Sequence, residues 1–358
     1  MIHYDRKEEE EMKRENMKTS LRIGFVVTLL LVLFVMMGAS ASATAGPSGF
    51  NYDNAKFETL VFSQCISNDQ ITLRSDFDWN SFANSSANGI VIIPCQIVNG
   101  ADCWDIGHNG LSQYTTLATV MGNVIKKLQY YNSNVKIWFG LPGISSTCYA
   151  YATSSNCLTT FTNYITAVKN NVGTTIWNNN VKGVYYNQES IYGTVNYNSL
   201  TSNAQILLMN NIAYRIHANF VKDTLWIPYY GYGSNAGEII KRIGYVTNRT
   251  PIFNCVILQA CYMSHHDSEA LSNFNGICAS IDNNTVCYRN GAPVCTRSAS
   301  ATAQIGAELE LNTYYPQYFT PYSSYYMAYV DNSPLAFYWQ GNLASAIGQI
   351  NWFYNMYF

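Results

Sequence analysis

Charge is what this chain has least of. Asp, Glu, Lys and Arg make up 12% of its 358 residues and the formal net charge is −2, where an average globular chain carries roughly 25% charged residues. Without clustered Lys and Arg there is no electrostatic footprint for nucleic acid, so no nucleic-acid partner is expected. Long apolar runs are missing too. The run Ile23–Met37 has 15 residues, short of the roughly 20 that span a bilayer. No Cys-x-x-Cys pair is present, and His265 and His266 are adjacent rather than spaced along one helix face. No H-E-x-x-H, Walker loop, G-x-S-x-G elbow or dinucleotide fingerprint occurs at a strand–helix junction. These absences remove the usual ligand sets and phosphate cradles, and no metal or cofactor is expected.

What is present is aromatic and neutral-polar. Aromatic residues reach 15%, with 29 tyrosines, a composition opposite to that of disordered chains. With the abundant Asn, Ser and Thr they form a neutral hydrogen-bonding surface suited to sugars. The N-terminus has a basic flank ending in Lys18 and Arg22, then the apolar run, then the small residues Gly38–Ala45. That is the form of a secretory signal peptide. Residues 1–45 are read as the signal, with cleavage near Ala41–Ala45 and an uncleaved signal anchor as the alternative. Residues 46–358 are read as one domain, secreted and without membrane contact after cleavage. All ten cysteines follow this segment, and an even number in an oxidising compartment predicts disulfides. Cys148–Cys157 and a pairing within Cys278, Cys287 and Cys295 would each close a short loop. Cys65 and Cys255 lie in apolar strands, where buried thiols are the alternative. Sequons at Asn84, Asn248 and Asn283 predict glycosylated surface loops.

Eight short apolar or aromatic runs recur: Glu58–Cys65, Gly89–Ile97, Lys136–Leu141, Gly183–Gln188, Thr224–Tyr230, Asn254–Cys261, Gln304–Leu311 and Leu335–Trp339. Most are continuously apolar, as parallel strands covered on both faces are. Helical periodicity marks Leu111–Tyr131, Leu158–Val172, Leu200–Phe220 and Leu343–Tyr357 between and after them. Eight strands alternating with helices predict an α/β fold, a single (β/α)8 TIM barrel. The long interval between strands six and seven, with three cysteines, predicts a disulfide-tied loop excursion.

Barrel enzymes act at the carboxyl ends of their strands, so polar residues there carry the functional reading. At a period of two, Tyr185, Asn187 and Glu189 share one face of the fourth strand's end. On the seventh strand Glu308 and Glu310 share a face, opposite Ala307, Leu309 and Leu311. The apolar face should meet the helices, which turns both glutamates into the barrel. Glycoside hydrolysis needs two carboxyl groups about the scissile bond, one protonated and one ionised. Glu189 is the candidate general acid/base and Glu310 the candidate nucleophile, with Glu308 as the alternative nucleophile. The competing reading is a structural glutamate bonded to Arg or Tyr. Trp226, Tyr229, Tyr230, Tyr232, Gln259, Tyr262 and Trp339 are candidates to stack on and bond sugars, and aromatic core packing is the competing reading, above all for Trp226. Asp102 and Asp105 read as loop residues.

The segments Gly183-Val184-Tyr185-Tyr186 leading to Glu189, Trp226-Ile227-Pro228-Tyr229-Tyr230, and Gly306-Ala307-Glu308-Leu309-Glu310 resemble, in that order, landmarks of the family known as domain of unknown function 4855. The resemblance spans roughly residues 55–358. It departs at Tyr186, where tryptophan is usual. It implies a barrel of the glycosidase-like group. Many retaining glycosidases of that fold place Asn directly before the strand-four acid, whereas here Gln188 intervenes. Two functions follow as expectations: a secreted two-carboxylate, retaining glycoside hydrolase acting on oligo- or polysaccharide, or a non-catalytic carbohydrate-binding or surface interaction protein on the same scaffold.

Overall fold

The computed structural model describes residues 56–61, 64–65, 71–72, 83, 85–94, 97–98, 101–102, 111–143, 155–312, 315–340 and 343–355. The expected signal segment and Asn84 lie outside them. Eight strands form one parallel sheet: β1 (Lys56–Val61), β2 (Gly89–Ile93), β3 (Lys136–Gly140), β4 (Val181–Tyr186), β5 (Asp223–Trp226), β6 (Cys255–Gln259), β7 (Gln304–Asn312) and β8 (Leu335–Gln340). Each pairs with its chain neighbours. β1 also pairs with β8, with Lys56 opposite Leu335 and Glu58 opposite Phe337, so the ladder runs round as a closed barrel. All eight predicted strands exist, most of them shorter than the apolar runs that marked them.

Helices follow the strands from β2 onward: α1 (Leu111–Tyr131), α2 (Ser155–Val172), α3 (Thr174–Asn179), α4 (Ala204–Arg215), α5 (Ala236–Arg249), α6 (Tyr262–His265), α7 (Ser268–Asp282), α8 (Phe319–Tyr326) and α9 (Leu343–Asn355). No helix of regular length is described between β1 and β2, so the helical layer is incomplete among the described residues. The predicted helix Leu200–Phe220 is three pieces. A 3-10 turn leads in, the Asn203 side chain caps α4 by accepting from the Ile206 amide, and a π-turn at Ile216–Phe220 ends it on left-handed Val221.

Alternation along the strands divides the core in two. Val91, Trp138, Tyr185, Leu225, Ile227, Cys255, Ile257 and Ala336 fill the barrel interior. Their neighbours, among them Ile90, Phe139, Val184, Trp226, Leu258, Leu309 and Phe337, pack against the helices. Gly183 makes room for the Trp138 indole. A Cβ there would fall 2.7 Å from that ring and 2.6 Å from the Asp223 carbonyl. Gly183→Ala is therefore expected to cost about 1–3 kcal/mol through overpacking, read as a lowered urea midpoint with unchanged slope.

The excursion before β7 is real, but the expected disulfide does not tie it. Cys278, Cys287 and Cys295 are free thiols. Each sulfur faces a different carbonyl, of Tyr325, Thr285 and Gly244 respectively. Polar side chains hold the loop instead. Asn248 donates to the Val286 carbonyl and accepts from its amide, and Arg297 donates to the carbonyls of Asn284 and Ala303. Cys255 is a buried thiol inside the barrel. Cys148 lies outside the described residues, and the Cys148–Cys157 expectation with it. Asn248 is fully buried, so in the folded protein its sequon offers no acceptor amide. Asn283 is exposed, and its amide bonds the Ala279 carbonyl. Asp102 falls in a short antiparallel arm, opposite Ile97, and Asp105 outside the described residues.

Candidate active site

The C-terminal ends of β4 to β8 enclose a hollow of about 440 Å³ lined by Glu189, Glu308, Glu310, Gln259, Tyr229 and Tyr338, with Cys261, Met263, Ser264 and His265 as one wall. All three candidate carboxylates therefore meet in one space, as does Gln259.

Glu189 reaches it through a kink rather than a continued strand. β4 ends at Tyr186, and the Gln188 amide turns back to the Tyr186 carbonyl at 2.9 Å. This tight turn absorbs the residue between Asn187 and Glu189. The Trp226 indole, outside the barrel, donates to the Gln188 carbonyl at 2.6 Å, and the Tyr229 amide donates to the Glu189 carbonyl at 3.1 Å. Glu189 is exposed by surface area, yet its carboxyl is crowded by the walls of the hollow. Burial raises its pKa, and the Gln259 amide, 3.4 Å away, pulls it partly back.

The seventh strand brings in two buried glutamates. Glu310 accepts hydrogen bonds from the Tyr322 hydroxyl and from the Met263 amide at 3.2 Å. Burial lifts its pKa to about 7; the backbone amides of Met263 and Tyr262 oppose the rise and the Glu189 charge adds to it. Glu308 is 4% exposed and has no hydrogen-bond partner among the described residues. Its pKa is raised well above the usual carboxylate range, first by burial and then by Glu310 and Glu189. No Lys or Arg bridges any of the three among the described residues. The competing reading of a charge held by arginine is thus not met. The tyrosine contact to Glu310 is.

The aromatic candidates separate by strand parity. Leu225 and Ile227 point inward, and Tyr229 follows them into the hollow. Trp226 and Tyr230 point outward and do not line it. Trp226 is stacked on Phe253 with ring centroids 5.1 Å apart, and the Tyr230 hydroxyl bonds the Cys287 carbonyl. Tyr185 belongs to the interior packing beneath, its hydroxyl pushed to higher pKa by burial, then by Glu189 and Glu308. Asn187 is buried, and its side-chain NH2 has no partner among the described residues. Tyr232 stands at the rim, bonded to Asp267 and stacked on His265 at 3.7 Å. Tyr262 packs among Phe274, Tyr322 and His266 rather than on the hollow. The Trp339 side chain lies outside the described residues.

Tyr338, Cys261, Met263 and Ser264 are lining residues that sequence reasoning did not single out. Tyr338 was detectable, because alternation with outward Leu335 and Phe337 turns it inward beside Ala336. The other three belong to a sharp turn that opens at left-handed Cys261, and periodicity carries no signal for that. Among the described residues no group of three or more His, Cys, Asp or Glu is arranged to hold a metal ion.

No family model matches the chain, and no curated protein sequence matches it. Among solved structures, it is similar to a GH18 chitinase from Pseudoalteromonas aurantia, at 10% identity over 83% of this chain and 100% of that one, with a TM-score of 0.44. A Cellulomonas fimi endo-β-1,4-mannanase double mutant covers 84% of this chain and 71% of its own, at 8% identity and TM-score 0.46. A xylanase and α-amylase inhibitor protein from Scadoxus multiflorus covers 84% and 97%, at 12% identity and TM-score 0.43.

Proposed function

We propose that this chain is a retaining O-glycoside hydrolase on a (β/α)8-type scaffold, exported from the cell and acting on neutral oligo- or polysaccharide. Glu189 serves as general acid/base and Glu310 as nucleophile. The observation that supports this most is the meeting of carboxyls from the ends of β4 and β7 in one hollow, without cations to neutralise them. Burying carboxylates without partners is costly, and such arrangements are kept where perturbed pKa values serve chemistry.

The local contacts divide the roles. Glu310 has two donors on one oxygen, which orient it and favour its ionised form. Glu189 stands nearest solvent, where it can exchange its proton with water after each half-reaction. Glu308 has no donor among the described residues, and its raised pKa favours the neutral form, as a floor to the site. Because the carboxyls interact, they titrate as a set. Burial raises both Glu189 and Glu310, and the Glu189 charge raises Glu310 further, while a retaining mechanism needs one of the two protonated and the other ionised. Tyr229, Gln259 and Tyr338 line the hollow and are placed to bond sugar hydroxyls and cover their C–H faces. The N-terminal segment and the sugar-suited composition support an extracellular site of action. A non-catalytic mouth would have Glu189 paired to a cation or far from Glu310; here its partner is the neutral Gln259 amide, and both carboxyls line one hollow.

The test is a polysaccharide-digest and glycan-array screen of the protein without residues 1–45, followed by NMR of the first anomer released. Turnover with retained configuration supports the assignment, while inversion would remove Glu310 from the nucleophile role. On a cleaved glycan, kcat/KM should rise as pH climbs through about 7, where Glu310 ionises. An ascending limb near pH 4 would show that the buried glutamate is not the ionising group.

A further inference from the structure

Tyr322 comes from α8, outside the barrel, and is fully buried. A tyrosine hydroxyl has one hydrogen to donate and two lone pairs to accept with, and here all three are used. It donates to Glu310 Oε2 and accepts from the amides of Tyr262 at 2.9 Å and Met263 at 3.1 Å. Those amides begin α6, and the first N–H groups of a helix have no partner within it. The turn they open is costly for the backbone. Cys261 before it and His266 after it both have left-handed φ, 57° and 50°, which non-glycine residues adopt at an energetic cost.

From this geometry we infer that Tyr322 is a positioning residue, whose hydroxyl fastens Glu310 and the strained Cys261–His266 turn together as one unit. One oxygen of Glu310 is held by this contact, which leaves the other to face the hollow. The same hydroxyl keeps Met263, Ser264 and His265 in place as the wall opposite Glu189. A single hydroxyl at the back of the site thus sets both the aim of the proposed nucleophile and the shape of the cavity. This assignment deepens the glycosidase reading and, as regards turnover, rests on it.

The variant Tyr322→Phe removes the hydroxyl and keeps the ring among Phe274, Tyr262 and Tyr326. Tyr326→Phe is the control, since it removes a buried hydroxyl on the same helix that has no hydrogen-bond partner among the described residues. Two readouts on the full chain need no substrate. In Tyr322→Phe, hydrogen exchange at the amides of Tyr262 and Met263 should accelerate roughly tenfold or more. The Glu310 carboxyl, followed by carbon NMR, should titrate about one unit higher. Tyr326→Phe should change neither. If both signals are unmoved in Tyr322→Phe, or move equally in Tyr326→Phe, the positioning role is overturned, whatever the protein's reaction. On a cleaved glycan, Tyr322→Phe should lower kcat and shift its ascending limb to higher pH with little change in KM. Unmoved kcat and pH limb alongside altered exchange would overturn the catalytic part alone.

Discussion

Glu189→Gln and Glu310→Gln should each abolish measurable turnover while leaving the fold intact. Loss of a general acid/base costs roughly 10²–10⁴-fold, and loss of the nucleophile at least as much, because no covalent intermediate can then form. The two effects should not add. Residues acting as one unit lose most of their value when the first is removed, so the double variant should be little worse than the weaker single. Glu308→Gln is the informative comparison. If Glu308 works as a neutral floor, an amide of the same shape keeps its surroundings, and activity should stay within about tenfold. Rates and circular dichroism on the three variants separate the cases. Full activity in Glu189→Gln or Glu310→Gln on a confirmed glycan removes the hydrolytic proposal, and inactivity of Glu308→Gln alone would move the nucleophile one register down the strand.

The same substitution at Glu310 should make the protein more stable in mild alkali. A folded Glu310 keeps its proton up to about pH 7, while an unfolded glutamate releases it near pH 4.3. Between those values the folded state binds more protons than the unfolded state, so stability falls as pH rises. Above pH 7 the accumulated loss is on the order of 3 kcal/mol. Glutamine does not titrate, and its carbonyl oxygen can still accept from Tyr322 and Met263. Glu310→Gln should therefore match the parent or fall slightly below it at pH 5, and exceed it at pH 8 by about 3 kcal/mol. That corresponds to a rise of several degrees in Tm. Glu308, whose pKa is also raised, should give the same sign. Thermal melts at the two pH values decide it, and equal Tm differences at pH 5 and pH 8 would mean that Glu310 is not protonated in the folded protein.

The barrel strands were legible because each is an apolar run long enough to cross the core and bounded by polar residues. Strand seven was the most readable, since Glu308 and Glu310 alternate with Ala307, Leu309 and Leu311 and leave one way to face. Strand five was not read by the same alternation. Its aromatic residues look alike in sequence, yet Pro228 and the parity of Leu225 and Ile227 send Tyr229 inward and Tyr230 outward. Tyr338 was passed over for its neighbour Trp339 for the same reason. Other features had no local signal. The tight turn at Gln188 depends on an indole from the next strand. The capping of α6 depends on a hydroxyl from a helix 60 positions away in the chain. The excursion before β7 was expected to rely on sulfur, and it relies on side-chain amide and guanidinium contacts to backbone that composition does not reveal.

The Trp138 indole packed over Gly183 makes the barrel a vessel with a solid base rather than a pipe. Whatever enters at the rim leaves by the rim. A polymer cannot be reeled through from one end to the other, so a long chain would have to lie across the opening or dip in a terminus. In the proposed reaction water and product would share that opening, and the walls around it would set the traffic in both directions.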